Sequence, residues 1–267
     1  MGPVIVSAGY SDRPSQKPRH YHDCHQILFI TGGSAQVLVD GQRYEARAGD
    51  LVLFSRFEQH SVVDHSDGYC RYVLQIDPRL PAPGEARYKL FSILFNRPAG
   101  FRHVLPTGDS APEFARLFGQ IMEERSRQLP MAQEMLELLL QQLMVSVCRC
   151  CPQPPALAEG CYETVSRIQS RLERDYREQF TLEALAGEYG LSASYLSHLF
   201  KRVTGTSVMG YLQSCRLAAA KRCLAQTSLS VGQIVECCGF SDSSNFSRLF
   251  RAVNGCTPSR FRELHRE

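Results

Sequence analysis

The 267-residue chain has no tryptophan, and no part of it approaches the roughly 18 consecutive apolar residues of a membrane-spanning helix, so no membrane partner is expected. Its first residues, MGPVIVSAGYSDRP, lack a basic start followed by an apolar segment, so no secretory leader is read. The eleven cysteines are odd in number and mostly scattered. That pattern speaks against a disulfide framework and for reduced thiols in a cytoplasm. Charge of one dominant sign is missing too, since 30 Lys and Arg against 27 Asp and Glu leave only +3. A 43% hydrophobic composition is enough to build packed cores, and the length suggests two of them.

The division falls at Cys151-Pro152-Gln153-Pro154-Pro155-Ala156. Proline lacks an amide donor and biases its predecessor away from helix, so 151–160 reads as a linker between domains at 1–150 and 161–267. Residues 1–155 hold 16 basic and 16 acidic side chains, whereas 156–267 hold 14 and 11. The whole positive excess therefore lies in the second part. Five of the eight histidines instead cluster between positions 20 and 65.

The first 80 residues read as β-structure. Asp40-Gly41 separates the candidate strands Gln36–Val39 and Gln42–Tyr44 and supplies the positive φ angles of a two-residue hairpin turn. Ala48-Gly49-Asp50 precedes the apolar run Leu51–Phe54, and 69–76 is a further strand. Short strands between glycine turns suggest a sandwich or barrel. After Pro106 helices take over. Ser110 and Glu113 have capping-box spacing, and Phe114, Leu117, Phe118, Ile121 and Met122 form one apolar face. The next helix, about Met131 to Cys150, is Leu- and Met-rich on more than one face, which fits an internal core and equally a dimer contact. Cys148, Cys150 and Cys151 lack a second ligand pair at zinc-finger spacing, so they read as buried thiols.

Residues 161–267 read as seven short helices. Tyr162, Val165, Ile168, Leu172 and Tyr176 mark the first. Thr181 caps the second, which stops at Gly190. Ser192 starts the third, which ends at Gly205, and the fourth runs from about Val208 to Gln226. Ser230 and Gln233 form a capping box for the fifth, ending at Gly239. The sixth, about Ser243–Asn254, stops at Gly255, and Thr257-Pro258 starts the last. Leu199-Phe200-Lys201 with Val203 and Gly205 is echoed by Leu249-Phe250-Arg251 with Val253 and Gly255. A short helix, a glycine turn and a helix with a polar face thus occur twice, the pattern of paired helix-turn-helix units.

The polar faces sort by chemistry. On the third helix Tyr195, Leu196, Leu199, Phe200 and Val203 are expected to pack inward, leaving Ser194, Ser197, His198 and Lys201. On the sixth, Phe246, Leu249, Phe250 and Val253 pack, leaving Ser243, Ser244, Asn245, Ser247, Arg248 and Arg251. Asn pairs well with adenine and Arg with guanine in the major groove. Lys201, Arg202 and Arg251 are better placed on phosphates, which position without specifying.

These residues resemble the DNA-binding domain of the AraC/XylS transcription regulators over about 100 positions. The resemblance is carried by Arg216-Leu217, Ala220, Ile234, Cys238-Gly239-Phe240, Asn245-Phe246, Phe250, Gly255 and Thr257-Pro258. It implies a bacterial regulator of promoter DNA that recruits RNA polymerase. Base reading then falls on Ser194, Ser197, His198, Ser244, Asn245 and Arg248, with the first recognition helix, poor in bulky polar groups, used more for positioning.

His20-x-His22-x3-Gln26-x6-Gly33 is similar to the first cupin motif, and Gly49-Asp50 through His60 to the second. The resemblance implies a small barrel in which His20, His22 and His60 line a site, with Gln26 where metal-binding cupins carry Glu. Three readings stay open: a pocket for a small-molecule effector, a divalent-metal site, and a structural cluster. His25 should point to the opposite sheet face.

The expected fold is α+β and multidomain: an N-terminal cupin-like β-barrel at about 1–80 with a helical extension at 111–150, and a C-terminal all-α domain of two helix-turn-helix units joined by a long helix. The expected protein is a cytoplasmic, homodimeric, effector-responsive transcriptional regulator with no required cofactor. A metal-dependent cupin enzyme fused to a DNA-binding domain and an effector-independent regulator are the alternatives.

Overall fold

Strand β2 (His25–Gly32) is almost continuously apolar, and its successive side chains enter two different cores. Such a run marks a strand covered on both faces. In the computed structural model, which describes residues 4–12, 20–39, 41–77, 88–97, 101–127, 129–151 and 159–265, β2 is the middle of a five-stranded antiparallel sheet. Its neighbours are β7 (Cys70–Ile76) and β5 (Asp50–Phe54), flanked by β1 (Ile5–Ser11) and β8 (Val104–Pro106). A second sheet contains β4 (Gln42–Arg47), β3 (Ser34–Val39) and β6 (His60–His65). Leu28, Ile30, Val52 and Phe54 of the first sheet meet Ala35, Val37, Val39 and Ala46 of the second. The opposite face of the first sheet, with Ile27, Phe29, Leu51 and Leu53, is covered by helices.

A closed barrel is not formed. The chain leaves one sheet after β4 and enters the other at β5, which pairs with β2 and β8. Each sheet therefore keeps its own edge strands, and the result is a two-sheet sandwich. β8 also carries the sheet beyond the expected limit near residue 80. The β3–β4 hairpin has the expected two-residue loop, with Val39 opposite Gln42 and Gly41 at φ 89°. Asp40 lies outside the described residues.

Helix α1 (Tyr88–Phe91) is short; α2 (Ala111–Arg127) and α3 (Ala132–Cys150) cover the sheet. Phe29 stacks on Phe118 of α2, with ring centroids 5.6 Å apart. On α3, Leu136, Leu139, Leu140, Leu143, Met144 and Val147 are buried, whereas Met135 and Leu138 are exposed. The helix thus has an inner and an outer apolar face. Glu113 accepts a hydrogen bond from Ser146 Oγ of α3 at 2.8 Å, so its carboxylate ties two helices together. Ser110 lies in a 3₁₀ turn, Gly108–Ser110, that runs directly into α2.

Met1–Ala156 and Leu157–Glu267 are two separate compact units. Most of the linker expected at 151–160 lies outside the described residues. The second unit is all-helical: α4 (Glu159–Arg174), α5 (Leu182–Glu188), α6 (Ala193–Thr204), α7 (Val208–Gln226), α8 (Val231–Cys237), α9 (Ser243–Asn254) and α10 (Pro258–His265). Val165, Ile168 and Leu172 of α4 are fully buried, as the expected stripe requires. All eleven cysteines are free thiols.

Candidate nucleic-acid interface and histidine cluster

Each recognition helix is fixed at both ends by its sequence. Ser192 Oγ accepts from Tyr195 N–H at 3.2 Å to start α6, and Asp242 accepts from Ser244 and Asn245 N–H at 3.0 and 2.8 Å to start α9. A side-chain acceptor there satisfies amides that have no partner inside the helix, and the Asp242 charge also favours the positive helix end. Gly205 and Gly255 end the two helices at φ 76° and 73°. The preceding helices α5 and α8 are capped by Thr181 and by the Ser230–Gln233 capping box. Gly239, at φ 80°, makes the turn of the second unit, and a Cβ there would lie 2.8 Å from Arg177 O.

Connector α7 has 19 residues, about 28 Å at 1.5 Å per residue. Successive major-groove faces on one side of B-DNA are about 34 Å apart, so its length suits two helices in adjacent groove segments. Arg216 locks this connector in place. It is buried, and its guanidinium donates to Tyr176 O at 2.8 Å and Glu178 O at 2.7 Å. Burial lowers its affinity for a proton relative to an ordinary arginine.

Leu196, Leu199, Phe200 and Val203 of α6 pack inward, as do Phe246 and Phe250 of α9, while Leu249 and Val253 are half-buried. Ser194, His198, Lys201 and Arg202 are exposed, with Ser197 half-buried. On α9, Ser244, Arg248 and Arg251 are exposed and Asn245 half-buried. Arg248 donates from Nη2 to Asn245 Oδ1 at 3.0 Å. Tyr195 corrects the expectation: it is 48% exposed rather than packed. The internal echo explains this, because Leu199-Phe200 aligned with Leu249-Phe250 puts Tyr195 at the position of Asn245. Tyr195, His198 and Arg202 then form one exposed stripe at helical spacing. Asp242 and Ser207, which caps α7 through Gly210 N–H, were also missed as caps.

The histidines are brought together by an isolated bridge. His20 N–H donates to His60 O at 3.0 Å and His60 N–H to His20 O at 2.8 Å. Residues opposite in such a pair, and residues two apart on an extended segment, share a face. His20, His22 and His60 accordingly converge, with ring centroids 4.7–5.2 Å apart and ligand atoms all within 4.8 Å of one another. His60 Nδ1–H donates to Glu58 O at 2.9 Å, which leaves the unprotonated Nε2 as an outward acceptor or metal-ligating atom. Its ring stacks on Phe54, centroids 3.9 Å apart. Burial lowers the His60 pKa to about 4, so the ring is neutral at pH 7.

Gln26 is buried opposite Phe54 and Gln75 in the ladders, hence on their sheet face. Phe54 touches His60, and Gln75 Nε2 lies 3.4 Å from His22 Nδ1. His60 and Gln26 are buried and His20 and His22 half-buried, and Phe54 and Gln75 connect the sheet face of Gln26 to the imidazoles. His25 is elsewhere: its Nδ1 accepts Arg56 N–H at 3.2 Å, and burial with the Arg97 and Arg56 charges lowers its pKa to about 3. Beneath the cluster, burial opposes the charge on Glu58, yet Arg97 and His103 beside it hold its carboxyl below the usual value. Arg97 Nε donates to Glu58 Oε1 at 3.0 Å.

Paired helix-turn-helix units joined by a rigid helix, together with a sandwich holding an interior polar cluster, define a DNA-binding regulator with a ligand-binding domain. The comparisons agree. The model of the AraC-like ligand binding domain matches residues 4–144, and that of a helix-turn-helix domain matches residues 185–264. The chain belongs to the AraC family of transcriptional regulators. It is 28% identical over 255 residues to the HTH-type transcriptional activator RhaR of Escherichia coli (strain K12), covering 92% of this chain and 87% of that one. RhaR of Shigella flexneri matches to the same extent. The fold is similar to that of ToxT from Vibrio cholerae, with a TM-score of 0.63 at 14% identity over 97% of each chain. Unsaturated fatty acid bound ToxT gives 0.60 at 16% identity, over 97% of this chain and 95% of that one. Among the described residues no helix is long and apolar enough to cross a membrane.

Proposed function

We propose that this regulator binds a small-molecule effector at His20, His22, Gln26 and His60 and reads promoter DNA with α6 and α9. The observation that carries the effector site is the convergence of three imidazoles, one of them buried, next to the sheet face that holds the buried Gln26. A buried region lined by a few polar groups within an apolar wall is the usual form of a small-molecule site. Ser194, Ser197, His198, Ser244, Asn245 and Arg248 face base edges; Lys201, Arg202 and Arg251 hold phosphates. Effector binding shifts the balance between arrangements of the two DNA-reading units. The domains meet at the 151–160 linker, and RNA polymerase is recruited in the cytoplasm once the protein is on its promoter.

The proposal includes a homodimer formed through α3. Met131, Met135 and Leu138 are exposed apolar residues spaced four and three apart, followed by half-buried Val145 seven further on. That is the spacing of a helix–helix seam. The small net charge makes a second chain useful, since a dimer doubles the phosphate contacts. Leu138→Asp should convert dimer to monomer in sedimentation.

The effector site is tested by a thermal-shift screen of the full chain against metabolites and, separately, divalent metals. Ligand at 100 times its Kd raises stability by about 2.7 kcal/mol. His22→Ala should abolish the shift given by any hit. Hits that still shift His22→Ala and His60→Ala would place the effector elsewhere. A second reading, a divalent ion held by the three imidazoles, is favoured by their ligand atoms lying within 4.8 Å. Retention of one equivalent of metal through dialysis, lost in His60→Ala, would support it.

A further inference from the structure

Cys223 of α7, Cys237 at the end of α8 and Cys238, the residue after it, also converge. Their sulfur atoms all lie within 4.8 Å of one another, and the Cys237 and Cys238 sulfurs are 4.0 Å apart. We propose that these three thiols form a binding site for a trivalent, thiol-seeking metalloid, with arsenite as the representative ligand.

Three features select that class. First, every donor is sulfur: among the described residues no histidine or carboxylate joins the group. Soft thiolate sets select soft centres. Second, the geometry is nearly closed. A pyramidal central atom about 2.3 Å from each sulfur holds the sulfurs about 3.5 Å apart, so closing the site from separations of up to 4.8 Å takes about an ångström of movement between sulfurs. Third, the inner side of the group is apolar, with Cys223 and Cys237 half-buried and the Arg177 charge on the outer side near Cys237 and Cys238. Cys238 is 1% exposed and belongs to the core with Leu224, Ile234 and Val235, while Cys223 and Cys237 pack against that core. A divalent ion with three thiolates would be an anion lacking a fourth ligand there, and a buried charge is costly. A trivalent centre with three thiolates is neutral.

The chemistry needs no further reactant. Arsenous acid carries three hydroxyl groups on trivalent arsenic. Each thiol sulfur forms a bond to arsenic as one arsenic–oxygen bond breaks, and the departing hydroxide leaves with the thiol proton as water. Three waters are released, arsenic stays trivalent, and nothing is oxidised. Because Cys223 lies on the connector and the other two at the C-terminal end of α8, the bound centre would cross-link the connector to the first helix of the second DNA-reading unit. The site is independent of the histidine cluster, which lies in the other unit.

The test uses the full reduced chain and sodium arsenite. After removal of excess arsenite, retained arsenic is measured by mass spectrometry, and exposed thiols are alkylated and mapped by peptide. One arsenic per chain is expected, with Cys223, Cys237 and Cys238 protected together. Cys237→Ser, at a half-buried position, should weaken retention by more than about a hundredfold, since even outer-shell losses cost about 10–100-fold. If that variant does not fold, the protection map of the unaltered chain still decides. No retained arsenic, arsenic protecting Cys148, Cys150 and Cys151 instead, or uptake of zinc or cadmium by the trio without arsenite would each overturn the proposal.

Discussion

Arg248 and Asn245, one turn apart on the exposed face of α9, are joined by a hydrogen bond of 3.0 Å from Nη2 to Oδ1. The bond orients both side chains before DNA arrives. Arg is suited to guanine and Asn to adenine, so the pair is equipped to address neighbouring bases. Arg248→Ala should reduce discrimination at one base position by about 1–3 kcal/mol. Lys201→Ala should instead weaken all sequences alike and lower the slope of log affinity against log salt by about 1. Titrations against single-base variants of a bound duplex at several salt concentrations separate the two. Equal loss at every position for Arg248→Ala would contradict its assigned role.

Tyr195 stands where Asn245 stands in the second unit and is exposed, so its ring is available to DNA rather than to the core. Tyr195→Ala should change stability by no more than about 0.5 kcal/mol, as expected of a surface site, while reducing DNA affinity. A large fall in melting temperature with unchanged DNA binding would return the ring to a packing role.

Gly239 cannot accept a side chain for two separate reasons: φ is 80°, and a Cβ would meet Arg177 O at 2.8 Å. Gly239→Ala should cost more than about 1 kcal/mol in thermal or urea unfolding of the full chain. Gly187 in α5 has neither restraint. Gly187→Ala should be neutral or stabilising by about 0.5–1 kcal/mol. Equal effects at both positions would refute the close approach.

His25 gives the sandwich an acid limit. Its folded pKa, about 3, is depressed by burial and by Arg97 and Arg56, with a backbone hydrogen bond to Leu94 and then Asp77 acting the other way. The unfolded chain takes up a proton near pH 6.5, which the folded chain refuses until about pH 3. Stability is therefore full above pH 6.5 and is lost progressively as pH falls toward 3, by up to about 5 kcal/mol. His25→Gln should flatten that part of the stability profile. An unchanged slope would mean that another group controls it.

The helical unit was legible because each helix announces its own ends: Thr181, Ser192, Ser230, Gly205 and Gly255 act within a few residues of where they stand. Asp242 was less visible because it precedes a polar Ser-Ser-Asn run with no apolar start to mark the boundary. Tyr195 was misassigned because an aromatic at the edge of an apolar stripe looks like part of it. The sandwich was harder to read. Whether strands close into a barrel depends on long-range pairing, here β5 with β2 and β8, which no local pattern encodes. The histidine site was half legible: spacing put His20 and His22 on one face, whereas His60 needed a bridge across 40 residues. The Cys223–Cys237–Cys238 group depends on two helices meeting and had no spacing signal at all.

The central claim is that one chain reads DNA with two recognition helices about one helical turn apart. Selection from randomised duplexes, using the monomeric Leu138→Asp chain and then the same chain carrying Arg248→Ala, tests it most directly. The account predicts an enriched site with two elements separated by about 10–10.5 base pairs, and relaxation in the element read by α9 alone. Enrichment of a single element, or equal relaxation of both in Arg248→Ala, would contradict it.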